Sequence, residues 1–284
     1  MLQIKAKLIK NIEVTKNYYK IIISCPRLAR LAQPGQFLQV KVSDSGEPLL
    51  RRPLSIHRVP QRPSVPASQL EILYEVVGKA TEILAQKKAG EYLDIIGPLG
   101  NGFDYSAPVL QCPSAPVLVA GGMGVAPLFF LAEKLISHQS YQSHRLVVLM
   151  GAKTKSQILC EKEFKQLGCE VKIATDGGSR GFKGKVTDLL KEILATGHRP
   201  QVKNMRPAAC DLRHATIYAC GPRPMLKEIS RISKQYHIPA QISLEEHMAC
   251  GIGACLGCVV KTKEDYKRVC EEGPVFNADE IVWE

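Results

Sequence analysis

Four cysteines near the end of the chain have the spacing that holds an iron–sulfur cluster. Cys250, Cys255 and Cys258 follow the pattern C-x4-C-x2-C, and Cys270 follows at a greater distance. Four thiolates at this spacing are the ligands of a plant-type [2Fe–2S] cluster, which carries one electron at a time. The intervening glycines suit a tight wrap, because glycine adopts left-handed backbone conformations and lets amide hydrogens approach sulfur. We therefore predict that these four cysteines bind a [2Fe–2S] cluster.

Two other chemistries also use sets of four cysteines. Structural zinc is commonly bound by four thiolates, but such sites more often contain two C-x2-C pairs, and this segment contains one. Disulfides are typical of secreted proteins. The N-terminal residues from Met1 to Leu8 alternate apolar residues with lysines and lack the apolar core of a signal peptide. The pattern therefore favours the cluster over zinc and over disulfides.

The composition is that of a globular protein of 284 residues with a basic surface. Lys and Arg exceed Asp and Glu by 11 (38 minus 27). These charges are spread along the chain and are not interleaved with aromatic residues, which argues against a nucleic-acid-binding surface. No apolar run reaches the length of a membrane span. We expect a cytoplasmic protein that binds neither nucleic acid nor membrane.

The pattern of apolar residues divides the chain into three parts, which predicts a multidomain protein. Residues 1–106 contain short alternating strands punctuated by Pro and Gly, with one helix, and this predicts an antiparallel β-barrel. In residues 107–239, apolar strands alternate with amphipathic helices, one of them predicted from Gln157 to Leu167, which indicates a parallel α/β sheet. Residues 240–284 form a small cysteine module. The polar, basic stretch from Thr196 to Arg213 has no assigned function.

Two glycine-containing turns lie at strand ends in the α/β part. Gly121, Gly122 and Gly124 follow its first strand and precede a helix, where glycine lets a dinucleotide pyrophosphate approach backbone amides. Such turns also occur for packing alone, but this position favours a dinucleotide. Cys220 and Gly221 end a later strand, which places the thiol at the carboxyl edge of the sheet beside a nicotinamide site. The alternative for Cys220 is a buried strand-end thiol.

In the barrel, Arg51-Arg52-Pro53-Leu54-Ser55 places two guanidinium groups and a hydroxyl at the start of a strand. Arginine suits a pyrophosphate because its planar fork forms paired charge-assisted hydrogen bonds. The hydroxyl of Ser55 could bond to a flavin ring edge, although an exposed strand end would read the same way. The turn from Gly97 to Phe103 either shapes a flavin pocket or joins two domains.

The order of these motifs resembles that of the ferredoxin–NADP reductase superfamily. Four segments further resemble the electron-transfer subunits of NAD-dependent dihydroorotate dehydrogenases: 51–56, 243–246, 249–255 and 273–276. The resemblance covers nearly the whole chain apart from the basic stretch from Thr196 to Arg213.

This resemblance implies three cofactors: FAD, NAD and the [2Fe–2S] cluster. The residues implied to bind FAD are Arg52, Pro53, Leu54, Ser55, Leu73, Tyr74, Glu75, Ala80 and Thr81. Those implied to bind NAD are Gly121, Gly122, Gly124, Cys220 and Gly221. The chain departs from the family pattern at Ala80, where glycine is usual, and at Met123 and Ala126 in the glycine turn.

The resemblance also implies a function in pyrimidine biosynthesis. By this resemblance, a separate FMN-containing subunit would oxidise dihydroorotate, and electrons would pass through the cluster and FAD to NAD within a heterotetramer of two copies of each subunit. One alternative is an NAD(P)H-dependent reductase subunit that serves a ferredoxin, an oxygenase or a sulfur-reducing partner. Another is a zinc-binding interaction protein. We expect NADH, although Lys153, Lys155 and Arg180 could meet the 2′-phosphate of NADPH.

Overall fold

The computed structural model describes residues 1–60, 68–106, 116–137, 146–196 and 215–283. Apart from Thr196, the basic stretch that the sequence left without a function lies outside these ranges. The described residues contain a closed six-stranded barrel, a seven-stranded sheet and a two-stranded sheet. In the part of the chain described, no helix is both long enough and apolar enough to cross a membrane.

The N-terminal part is the predicted antiparallel barrel. Its strands are β1 (Leu2–Thr15), β2 (Tyr18–Ser24), β3 (Phe37–Lys41), β4 (Arg52–Arg58), β5 (Gln69–Glu75) and β6 (Tyr92–Leu99). They close in the order β1-β2-β5-β4-β3-β6. Helix α1 (Pro26–Leu31), which the pattern did not predict, follows β2, and α2 (Lys79–Gln86) follows β5. Closure leaves no free strand edge, and the inward side chains, including Ile21, Leu38 and Ile72, are fully buried.

The α/β part is built around a parallel sheet. Its strands are β7 (Val117–Gly121), β8 (Val147–Ala152), β9 (Glu170–Thr175), β10 (Phe182–Lys183), β11 (Ile217–Cys220) and β12 (Ala240–Ser243). Its helices are α3 (Val125–Ser137), α4 (Glu161–Gln166), α5 (Val186–Ala195) and α6 (Arg223–Tyr236). The order β10-β9-β8-β7-β11-β12 reverses direction between β7 and β11, and in such sheets ligands bind beyond the strand ends at that point.

Helix α4 is shorter than the sequence pattern predicted. Residues 155–157 form a separate 3-10 turn, and the α-helix begins only at Glu161. Cys160 precedes it in a left-handed conformation with φ 60°, which interrupts any helix that runs through it. The prediction of one helix from Gln157 to Leu167 is therefore wrong at its beginning. The spacing of apolar residues does not show that a single residue has a left-handed backbone.

The cysteine module is joined to the α/β sheet by its last strand. Strands β13 (Val259–Lys261) and β14 (Tyr266–Arg268) form a hairpin, and β15 (Val275–Asn277) pairs antiparallel with β12. Phe276 on β15 lies in the same hydrophobic cluster as Val117 on β7. The division at residue 240 stays a prediction, and it coincides with the first residue of β12.

The barrel and the α/β part meet where β4 packs on α3. The imidazole Nδ1 of His57 lies 3.0 Å from the carbonyl oxygen of Ala126, and its ring centroid lies 5.1 Å from that of Phe129. One residue further along β4, Arg58 Nε donates to Glu133 Oε1 at 2.7 Å. The strand that begins with the candidate flavin residues therefore ends against the helix that follows the glycine turn.

Candidate functional site

The four candidate cluster ligands lie as two pairs of thiols. The side chain of Cys250 interacts with that of Cys255, and the side chain of Cys258 with that of Cys270. Among the described residues, no three His, Cys, Asp or Glu side chains converge on a single-ion site. Two thiol pairs match a two-iron cluster, in which each iron takes two protein sulfurs, better than a tetrahedral zinc site.

Backbone amides are directed at all four sulfurs. The closest is the Gly253 amide, whose nitrogen lies 3.1 Å from Cys270 Sγ. The other three N···S distances are 3.4 Å from Ile252 to Cys250, 3.5 Å from Gly257 to Cys255 and 3.4 Å from Cys270 to Cys258. Amide hydrogen bonds to sulfur stabilise thiolate and cluster charge, so this donor set fits a [2Fe–2S] cluster.

These environments move the pKa values of two of the thiols in opposite directions. Burial raises the pKa of Cys250, but hydrogen bonds led by the Ile252 amide outweigh it and lower that pKa to about 7. Burial, with the neighbouring Cys258 thiol, raises the pKa of Cys270 to about 12. The thiolate that a cluster requires therefore forms more readily at Cys250 than at Cys270.

The segment from Cys250 to Cys258, which we call the cluster wrap, contains three left-handed residues. Gly251 and Gly253 have φ values of 70° and 78°, as the glycine pattern predicted, whereas the third is Leu256 at 57° and not Gly257. A positive φ is unusual for a residue as large as leucine. The Leu256 side chain is directed outward and is 61% exposed.

Arg268, on β14, forms a hydrogen bond with the backbone of the cluster wrap. Its Nη1 donates to the Gly253 carbonyl oxygen at 2.8 Å, and its guanidinium forms ion pairs with Glu271 and Glu272. Arg268 is not among the site residues predicted from the sequence. Its position two residues before Cys270, which two glutamates follow directly, is the signal that could have found it.

At the beginning of β4, the two candidate arginines have different roles. Arg51 Nη2 forms an ion pair with Asp94 Oδ2 at 2.9 Å, and its Nη1 donates to the Asp94 carbonyl oxygen at 2.8 Å. Burial raises the pKa of Asp94, but hydrogen bonds from Arg51 and Gln3 give a net lowering. Among the described residues, Arg52 bonds only to the carbonyl oxygens of the two residues that precede it, Leu50 at 2.8 Å and Arg51 at 3.3 Å. Arg52 is therefore the guanidinium that can turn to a phosphate at little cost.

The candidate flavin residues of β5 face opposite ways. Leu73 belongs to the cluster of side chains shared with the α/β part, whereas Tyr74 is directed into the barrel core. There the Tyr74 ring stacks on Tyr19 with centroids 5.8 Å apart, and its hydroxyl donates to Asn11. Tyr74 can thus meet a ligand outside the barrel only through its backbone, while Leu73 and Glu75 can use their side chains.

The beginning of α2 has the form of an anion site. The Thr81 hydroxyl accepts hydrogen bonds from the amides of Val77 and Gly78, at N···O distances of 2.9 and 3.2 Å. The first amides of the helix proper have no intrahelical partner and point outward. A Cβ at Gly78 would have nothing within 4 Å, and the Ala80 methyl packs in the barrel core. The alanine that replaces the usual glycine therefore leaves the backbone approachable.

The two glycine turns of the α/β part pack against each other at the point where the strand order reverses. A side chain at Gly124 would overlap the carbonyl of Cys220, and one at Gly221 would lie 3.0 Å from the Gly121 backbone. Packing therefore explains Gly121, Gly124 and Gly221 in part. Gly122 differs, because it has φ 52° and open space beside it. A pyrophosphate could therefore approach the backbone at Gly122, whereas the other three glycines are required at least in part by close packing.

Cys220 is a neutral thiol at the strand end. It is 1% exposed, and burial, with the charge of Glu245, raises its pKa well above the usual range despite a hydrogen bond with Ser243. A thiol in this state is not a nucleophile. It can serve a nicotinamide only as a contact surface.

The cluster wrap packs directly on the barrel beside the candidate flavin strand. A side chain at Gly251 would overlap the side-chain amide of Gln39 on β3. Gln39 lies opposite Pro53 on β4, so the two residues share one face of the barrel wall. Gln39 is not among the site residues predicted from the sequence, although one polar residue within an apolar strand is a visible signal.

A second contact fixes the module to the barrel. The Asn101 backbone amide donates to the Gly273 carbonyl oxygen at 2.6 Å, and its side-chain amide donates to the carbonyl oxygens of Glu271 and Glu272, both at 3.1 Å. Of the two roles considered for the turn from Gly97 to Phe103, these contacts favour the joining of domains.

Comparison with known proteins agrees with this geometry. Residues 245–282 match the iron–sulfur cluster binding domain of dihydroorotate dehydrogenase B, and residues 118–231 match the oxidoreductase NAD-binding domain. The electron transfer subunit of dihydroorotate dehydrogenase B (NAD(+)) from Desulforamulus reducens is 43% identical over 98% of each chain. Its counterpart from Geobacillus kaustophilus is 38% identical over 95% of this chain and 94% of that one.

The chain belongs to the family of dihydroorotate dehydrogenase B electron transfer subunits. Among solved structures, an NADH-dependent reduced ferredoxin–NADP oxidoreductase aligns with a TM-score of 0.77 at 27% identity, over 98% of this chain and 90% of that one. Membership in the dihydroorotate dehydrogenase B family confirms the resemblance seen in the sequence, the fold class and the assignment to oxidoreductases. The domain boundaries and the individual site residues stay predictions.

Proposed function

We propose that this chain passes electrons from the FMN of a dihydroorotate-oxidising catalytic subunit through a [2Fe–2S] cluster and FAD to NAD, in the synthesis of pyrimidines. The observation that carries the proposal is the contact between the cluster wrap and the barrel wall. Gly251 lies against Gln39, and Gln39 lies opposite Pro53 of the candidate flavin strand. A cluster and a flavin held by these residues would contact neighbouring parts of the same barrel wall.

The two redox groups have complementary chemistry. When bound, the cluster transfers single electrons, whereas the flavin also exchanges a hydride with nicotinamide. The protein binds and orients these groups, and none of its side chains has to act as a general acid. Ser55 is half-buried and offers a hydroxyl to the edge of the flavin ring, while Arg52 and the beginning of α2 offer charge and amides to the pyrophosphate.

For the nicotinamide nucleotide, we propose a site at the sheet edge between Gly122 and Cys220. The open space beside Gly122 receives the pyrophosphate, and the neutral Cys220 borders the nicotinamide. Three cations could meet the 2′-phosphate of NADPH, and one of them, Arg180, is instead paired with Glu161 at 2.7 Å. This pairing favours NADH over NADPH. Lys153 and Lys155 are then the two left to meet a 2′-phosphate.

The catalytic partner docks, in this proposal, on the face that presents the cluster wrap. Cys255 is exposed there, together with the apolar side chains of Leu256 at 61% and Ile252 at 43% exposure. Exposed apolar residues around a redox centre are suited to burial against another subunit. Two copies of each subunit form a heterotetramer in this account.

We place the protein in the cytoplasm. The four candidate cluster ligands, Cys250, Cys255, Cys258 and Cys270, are free thiols. A module that must present reduced cysteines for cluster assembly suits a reducing compartment.

The test is NADH formation from dihydroorotate and NAD, measured for the chain purified with its native partner and for the chain alone. The complex should form NADH and the chain alone should not, while both should reduce an artificial dye with NADH. If the complex reduced the dye with NADH but formed no NADH from dihydroorotate, the chain would still be a flavin reductase. The proposal that it serves dihydroorotate oxidation would then be wrong.

A further inference from the structure

Gln39 is a buried polar side chain whose amide atoms have no hydrogen-bond partner. Its exposed fraction is 0%, and neither Oε1 nor Nε2 has a hydrogen-bond partner among the residues that the structure describes. Leaving a buried amide without a hydrogen-bond partner is unfavourable, so such groups usually meet a ligand or an ordered water. An apolar side chain would serve better if Gln39 only filled space in the wall.

The surroundings of Gln39 identify the direction in which a ligand lies. On β3 it is paired with Pro53 on one side and Ile96 on the other, neither of which offers a side-chain hydrogen bond. Above it lies the cluster wrap, and a Cβ at Gly251 would lie 2.8 Å from Gln39 Cδ. Gly251 directly follows Cys250. The amide is therefore placed between the barrel wall and the first candidate cluster ligand.

The chemistry of the cluster sulfurs shows which atom of the Gln39 amide can bond to them. Cluster sulfides and cysteine sulfurs only accept hydrogen bonds, and an amide nitrogen carries two donor hydrogens. The four sulfurs already receive backbone amides, and each further donor stabilises the extra negative charge of the reduced cluster. A side-chain donor from the barrel would add to this set.

We propose that the side-chain amide of Gln39 donates a hydrogen bond to a sulfur of the bound cluster and raises the reduction potential of the cluster. This inference rests on the cluster assignment of the proposed function, but not on the identity of the electron donor. Through this bond the barrel strand beside the flavin site takes part in setting how readily the cluster accepts its single electron.

The experiment is a redox titration of the isolated chain loaded with FAD and cluster, followed by the EPR signal of the reduced cluster. Gln39→Leu removes the donor at similar size, and Gln39→Met does so with a more flexible side chain. Gln241→Leu is the matched control, because Gln241 is also buried but is bonded to Asp104. All four proteins should be compared by thermal unfolding and by flavin content.

At the midpoint potential of the unaltered protein, we expect the ratio of reduced to oxidised cluster to fall about three- to tenfold in both Gln39 variants. The ratio should stay unchanged in the Gln241 control. Equal ratios in all four proteins would overturn the proposal and leave Gln39 as the site of a buried water. A shift of the FAD potential without one of the cluster would also overturn it, in favour of a bond to flavin.

This outcome is independent of the substrate. If the chain served a partner other than a dihydroorotate-oxidising subunit, the activity test above would fail while the cluster potential still shifted. If the four cysteines bound no cluster, there would be no EPR signal in the unaltered protein. The two failures can therefore be told apart.

Discussion

The imidazole Nδ1 of His57 lies 3.0 Å from the carbonyl oxygen of Ala126, which joins the candidate flavin strand to the first turn of the helix after the glycine turn. Burial lowers the pKa of His57 to about 4 and outweighs the Ala126 carbonyl, which favours the protonated ring. The contact is therefore made by a neutral histidine at physiological pH.

This contact predicts a specific pH dependence of stability. The folded state binds fewer protons than the unfolded state between the folded pKa of about 4 and the unfolded value of about 6.5. The stabilisation is complete above the unfolded value and is lost as the pH falls toward the folded one, by at most about 3 kcal/mol. His57→Gln keeps a donor for Ala126 but cannot titrate. Denaturant unfolding at pH 7 and pH 5 should show a smaller loss of stability for this variant, and equal losses would contradict the prediction.

Arg268 should govern how tightly the cluster is retained. Its bond to the Gly253 carbonyl oxygen fixes the peptide segment whose amide is bonded to Cys270 Sγ. Arg268→Met should therefore release iron to a chelator several-fold faster, followed as the loss of visible absorbance, with flavin content unchanged. Lys263→Met is the control, because Lys263 forms an exposed ion pair with Asp279 in the same module. Equal rates of iron release from both variants would show that Arg268 does not help to retain the cluster.

Gly124 should tolerate no side chain. A Cβ there would overlap the Cys220 carbonyl, so Gly124→Ala must force apart the two turns at the sheet edge. We expect a loss of about 2–3 kcal/mol in unfolding free energy, with weaker NADH binding. Gly177→Ala is the matched control, since nothing lies within 4 Å of its Cβ position. A Gly124→Ala variant as stable as the control would show that the turns are not in contact.

Much of this arrangement could be predicted from the sequence, because the relevant signals are local. The spacing of the four cysteines and the glycines at the end of β7 each lie within a short segment. The alternation of strands and helices is a repeated local pattern, and it appears in the structure apart from the beginning of α4. The antiparallel barrel follows likewise from its short alternating strands.

The remaining features depend on contacts between distant segments. Arg51 and Arg52 are adjacent in sequence, yet only Arg51 is paired with Asp94, 43 residues away. The addition of β15 to the edge of the parallel sheet comes from tertiary packing, since three residues carry no periodicity. The left-handed conformations of Cys160 and Leu256 are likewise invisible in residues that seldom adopt them.

Leu256 should matter for the partner and not for the cofactors. Its 61% exposed side chain is held outward beside Cys255 by a left-handed backbone. Leu256→Asp should weaken association with the catalytic subunit at least tenfold, because a charge would be buried in the contact. Leu31→Asp on α1 is the control, at a site 53% exposed and remote in sequence from the module. Association measured by analytical ultracentrifugation should distinguish the two, and equal binding would place the partner elsewhere.

The central claim is that electrons cross between the subunits through the cluster. Cys255→Ser removes one of the four candidate ligands, while Cys25→Ala, in the barrel core, is the control that leaves the module intact. Both variants should retain FAD, and both should reduce an artificial dye with NADH.

The decisive measurement is the rate of NADH formation when dihydroorotate is added to the Cys255→Ser complex under anaerobic conditions. We predict that the FMN of the catalytic subunit is reduced and that NADH formation is lost, with FAD content unchanged. NADH formation at the rate of the Cys25→Ala control would contradict the account, because electrons would then reach NAD without the cluster.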